Sequence, residues 1–137
     1  MIRQLDDRTL VSGQIAPHEV AGLAAQGITV LVNNRPDGEE ADQPLASDIE
    51  EAARQAGIAY RYVPIFRGIG PADVEAMQEA LVEAEGGKML AFCRSGTRST
   101  YLWALARHKL GDDGEQLIAK AANAGYDLSA LRPVLEA

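Results

Sequence analysis

Residues Ala91–Ala106 read "AFCRSGTRSTYLWALA". They close an apolar run, "KMLAFC" (Lys88–Cys93), cross the small and basic residues Arg94–Ser99, and enter a helix spanning about Thr97 to Leu110. The pattern is strand, tight loop, helix. The chain's only cysteine, Cys93, stands where the strand gives way to the loop.

The same alternation extends outward from this point. "TLVSGQI" (Thr9–Ile15) reads as a strand, and Pro17 and Gly27 bracket a helix. "ITVLVNN" (Ile28–Asn34) is β-branched and nearly all apolar, as a strand buried on both faces would be. "LASDIEEAARQAG" predicts a helix ending at Gly57, and "IAYRYVPI" (Ile58–Ile65) a strand. A further helix runs from Pro71 to the Gly86-Gly87 pair. Beyond the loop, "GDDGEQLIAKAANAG" predicts one more helix and "LSALRPVLEA" a last short one. Alternating strands and helices predict an α/β domain with a largely parallel central sheet, one domain over residues 1–137. In such sheets ligands sit outside the carboxyl ends of the strands, which is where Cys93 falls.

Composition narrows the function. The net charge of −7 argues against a broad nucleic-acid or anionic-membrane surface, so neither partner is expected. Against that acidic background, Arg94 and Arg98 crowd around Cys93, which suggests that a small anionic group is received there. One cysteine closes no intramolecular disulfide, and His18 and His108 lack metal-pair spacing, so no metal or cofactor is expected. Cysteine usage and the absence of an apolar leader in "MIRQLDDRTLVSG" predict a cytoplasmic protein.

The loop has a chemical logic. Only the thiolate of a cysteine is nucleophilic. A following helix N-terminus, converging N–H groups in the Ser95-Gly96-Thr97 turn and the Arg98 guanidinium all favour it. Arg98 offers a fork for a tetrahedral oxyanion. Gly96 lets the loop curl, and Ser99 has a hydroxyl within reach of the sulfur or the helix cap. Arg94 either steers anions or lies over the surface. The bland alternative is a buried inert thiol at a strand end, but such a thiol does not call for Arg, Ser, Gly, Thr, Arg and Ser beside it. Trp103 and Leu102 read as core residues on the helix.

"CRSGTRS" resembles the active loop shared by Cys-dependent phosphatases and rhodanese-type sulfurtransferases. Tyrosine and dual-specificity phosphatases place five residues between cysteine and arginine; four lie between Cys93 and Arg98. That spacing is similar to the rhodanese loop. "LVNNRPDGEE", "AGIAYRYVPI" and "LAFCRSGTRSTYLWALA" together resemble the bacterial phosphatase-like domain of beta-lactamase-hydrolase-like proteins, across about Val11 to Ala106. The resemblance implies a dual-specificity-phosphatase-like fold. It also implies a persulfide-dioxygenase-type metallohydrolase as partner, since the domain occurs alone or fused to one.

Two reactions fit. A phosphatase needs a general acid for the leaving oxygen, which the resemblance puts in the loop after "YRYVPI". Phe66–Gly70 there holds no carboxylate. Asp73 is the nearest acid, with a role at the helix start as its alternative. Arg35 and Asp37 in "RPDGEE" either line the pocket or form a solvated turn. Sulfur transfer from a small anionic or persulfide donor through a Cys93 persulfide needs no such acid. The reading favours a sulfurtransferase. The alternatives are a phosphatase acting on phosphoesters through phosphocysteine, and a thiol redox or anion-sensing module. The acidic run "DGEEAD" reads as a solvated loop.

Overall fold

The computed structural model describes residues 1–136. Five strands form one sheet: β1 (Ile2–Gln4), β2 (Thr9–Ser12), β3 (Ile28–Asn33), β4 (Ala59–Tyr62) and β5 (Lys88–Phe92), in the order β1-β2-β5-β3-β4. All neighbours are parallel except β1, which pairs antiparallel with β2 at the edge. The sequence reading lacked β1, whose three residues are all exposed and show no apolar alternation. It also ran β2 and β4 too far, because the chain leaves the sheet at Ser12 and Tyr62 while staying buried at Ile15, Val63 and Ile65.

The helices are α1 (Val20–Ala25, after a 3-10 turn at Pro17–Glu19), α2 (Ala46–Ala56), α3 (Pro71–Glu83), α4 (Thr97–Lys109), α5 (Gly114–Asn123) and α6 (Arg132–Leu135). Alternation along the two central strands divides the core. Leu31, Leu90 and Phe92 face α1 and α2, packing with Val20, Leu23, Ile49 and Ala53. Val30, Val32, Met89 and Ala91 face the opposite side, against Met77 and Leu81 of α3, Leu102 and Trp103 of α4, and Leu117 of α5. Trp103 is fully buried, as expected of a core residue. With helices on both faces, β3 and β5 read as continuous apolar runs.

This layering fixes the position of Cys93. It follows β5, the central strand, so it emerges between the carboxyl ends of β2 and β3. Its N–H bonds the Ser12 carbonyl at 3.3 Å, and the Asn34 N–H bonds the Phe92 carbonyl at 2.8 Å. The loop thus begins held on both sides by sheet backbone.

Candidate active site

Cys93 is fully buried beneath the turn that follows it. The Gly96 N–H points at its sulfur, with N···Sγ 3.1 Å. Gly96 reaches this position with φ +92°, a left-handed conformation that L side chains rarely adopt, and it is the cap residue of α4. A Cβ there would overlap the Tyr126 hydroxyl. That hydroxyl donates to the Ser95 carbonyl at 3.0 Å, fastening the turn from the chain beyond α5. Burial raises the Tyr126 phenol above its usual value, so the hydroxyl remains a donor at neutral pH. Inside α4, Thr100 bonds the Gly96 carbonyl at 2.8 Å.

Arg98 sits in the first turn of α4. Its guanidinium grips the Glu39 carboxylate with both terminal nitrogens, at 2.8 and 2.9 Å, and bonds the Ile65 carbonyl at 2.8 Å. Glu39 and the neighbouring Cys93 sulfur both hold Arg98 more firmly protonated than a free arginine. In return the Arg98 hydrogen bond, reinforced by Arg35, holds Glu39 below the usual carboxylate range. The fork that the sequence reading reserved for an oxyanion therefore holds a carboxylate of the protein itself.

Arg35 is buried and completes a charge network on this flank. It reaches Glu39 at 2.9 Å, Glu40 at 2.9 Å and Gln14 at 3.0 Å. Glu40 also pairs with Arg94, at 3.1 Å. So "DGEEAD" is not merely a solvated loop: two of its carboxylates tie Arg35, Arg94 and Arg98 together. Only the Arg35–Glu39 pair, four residues apart, had a local signal in the sequence. The Arg98–Glu39 pair spans 59 positions.

The remaining predicted residues have other duties. Ser99 is buried and donates to Asn34 Oδ1 at 2.8 Å, and no side chain caps α4. Asn34 in turn donates to the Val63 carbonyl at 2.9 Å, joining the ends of β3, β4 and α4. Asp37 accepts from the Ala46 N–H at 2.8 Å, at the start of α2, and lines a cleft with Glu50, Tyr60 and Tyr62. Asp73 accepts from the Gly70 N–H at 2.9 Å and closes the start of α3. Ser95 and Thr97 are exposed on the turn and bond each other at 3.0 Å.

The model of the phosphatase-like domain of beta-lactamase hydrolase-like proteins matches residues 1–109. The chain belongs to this family. The curated relatives include a beta-lactamase hydrolase-like protein of Xylella fastidiosa, 41% identical over 106 residues. Another, from Agrobacterium fabrum, is 37% identical over 103 residues. These matches cover 77% and 74% of the chain but only 24% of either relative, so the chain spans about a quarter of their length. Among solved structures, a candidate phosphatase of Neisseria meningitidis Z2491 is 34% identical with a TM-score of 0.81, covering 98% of this chain and 96% of that one. A kinase-associated phosphatase shares the fold at 18% identity, with a TM-score of 0.72 over 99% of this chain and 94% of its own. The family's fold is thus dual-specificity-phosphatase-like, as the sequence resemblance implied. No described helix is long and apolar enough to cross a membrane.

Proposed function

We propose that the protein transfers sulfane sulfur through a persulfide on Cys93. The observation that carries this reading is that the four carboxylates considered as acids or pocket residues are each engaged elsewhere. Glu39 and Glu40 are ion-paired to arginines, Asp73 is bonded at the start of α3, and Asp37 at the start of α2. A phosphoester needs a proton for its departing oxygen; a sulfur donor does not. The Cys93 thiolate attacks the outer sulfur of thiosulfate, forming an S–S bond while the donor's own S–S bond breaks and sulfite leaves with the electron pair. An acceptor thiolate then takes the outer sulfur and restores the Cys93 thiolate, so atoms and charge balance with no external oxidant. The Gly96 N–H supports the sulfur through both steps. Because Cys93 is buried, the donor's anionic group enters by exchanging with Glu39 on Arg98. Arg94 and Arg35 add positive charge along that entrance, and a persulfide-consuming metallohydrolase is the matching partner.

Phosphoester hydrolysis is the second reading. It is supported by the Neisseria relative, described as a candidate phosphatase. The fold shared with the kinase-associated phosphatase fits this reading as well. The two readings separate in one comparison. Wild type and Cys93→Ser are given thiosulfate plus an acceptor thiol, or an aryl phosphate. Sulfur transfer lost in the variant, with aryl phosphate turnover negligible, is the expected result. The reverse pattern replaces this proposal with the second.

A further inference from the structure

A groove of about 790 Å³ opens beside the Cys93 turn, with Thr97 and Arg98 of that turn in its lining. From there it runs between the β4–α3 loop, α4 and the C-terminal helix, over Phe66, Ile69, Tyr101, Leu105, Leu131 and Val134. Phe66 and Val134 are 72% and 51% exposed, so the apolar lining faces solvent. The volume is that of a small-molecule site. Its charge is unusual for this chain. Acidic residues outnumber basic ones 20 to 13, yet the charged residues lining the groove are Arg67, Arg98 and Lys109, with no Asp or Glu among the described lining residues.

Apolar walls with Arg67 and Lys109 among them, and with Arg98 available once its Glu39 partner is displaced, fit one class of occupant. We infer that the groove receives the extended alkyl or aryl body of an amphiphilic anion whose charged head docks at Arg98. This inference rests on the proposed chemistry at Cys93 and specifies its substrate: a donor with an apolar tail, not a bare inorganic anion. The tail gains by leaving water, while Lys109 and Arg67 add favourable potential along the groove. A cationic amphiphile of the same length meets the same walls but the wrong charges.

The test uses n-alkylphosphonates from methyl to decyl, kept monomeric, titrated calorimetrically into the full chain. Affinity is expected to rise about two- to four-fold per added methylene, from the transfer free energy of a buried CH₂, until the groove is full. Alkyltrimethylammonium ions of equal length should bind at least ten-fold more weakly. Phe66→Gln and Val134→Gln change exposed positions without adding charge and should flatten the chain-length dependence. Affinity independent of chain length overturns the inference, as does equal binding of the cationic series. So does a wild-type dimer that Phe66→Gln converts to monomer without altering phosphonate binding, because the groove is then a contact between copies. Failure here with intact Cys93 sulfur transfer leaves the chemistry standing. Chain-length dependence without any sulfur transfer leaves the groove standing and removes the sulfur chemistry.

Discussion

The two flanks of the Cys93 turn are built oppositely. On the β3–α2 side, Arg35, Arg94 and Arg98 are fastened to Glu39 and Glu40, so these five charges partner one another. On the β4–α3 side, Phe66, Leu105 and Val134 line an open apolar groove that adds Arg67 and Lys109 and has no acidic residue among its described lining. The first flank is closed by internal ion pairs, and the second is unfilled. Under the proposed function, the difference assigns anion entry to the polar flank and discrimination between substrates to the apolar flank.

The strongest way to break this comparison is at Asn34, which anchors the polar flank beneath the charges. Asn34→Ala strips partners from the buried Ser99 hydroxyl and Val63 carbonyl. It should cost about 2–4 kcal/mol, since each orphaned buried polar group carries a penalty; urea unfolding measures it. A loss within error would show that water replaces the amide and that the anchor is dispensable. Gly96→Ala follows. Its left-handed backbone and the Tyr126 hydroxyl predict a cost of about 1–2 kcal/mol, with thiol alkylation rates altered as the turn shifts away from the sulfur. Unchanged stability and alkylation would mean that the turn accommodates a side chain.

Glu39→Gln acts on function. With the carboxylate gone, Arg98 is free for an incoming anion, so affinity for sulfate or tungstate should rise about two- to five-fold, the scale of a partly exposed ion pair. A fall instead would mean that Glu39 positions Arg98 for anions and does not compete with them. The pH dependence is the subtlest effect. Arg98 holds Glu39 below the ordinary glutamate value of about 4.3, so its stabilisation is fully present above that ordinary value and is lost as pH falls through the lower folded value. Between pH 6 and pH 3, wild type should therefore lose more stability than Glu39→Gln. Parallel curves for the two proteins would show that the pair contributes nothing to folding.

The legibility of the molecule followed the range of its interactions. The central strands were readable because β3 and β5 are continuous apolar runs and the helices carry Pro and Gly punctuation. β1 was not, because an exposed three-residue edge strand has no pattern to show. At the site, Cys93, Gly96 and Arg98 were legible since six consecutive residues make one turn. Asn34, Glu39 and Tyr126 were not, because each meets the turn across 31 to 65 positions of chain. The Asn34 partner of Ser99 was beyond reach for the same reason, since it lies 65 positions away. The four-residue spacing from Cys93 to Arg98 was read correctly, while the carboxylate already held in the arginine fork was beyond reach.

The central claim is that Cys93 carries sulfur, and intact-protein mass spectrometry after brief exposure to thiosulfate or glutathione persulfide tests it most directly. The account predicts a gain of about 32 Da, one sulfur atom, that is absent in Cys93→Ser and is discharged by an acceptor thiol. No gain on wild type, together with Cys93-dependent release of phosphate from an aryl phosphate, would contradict it.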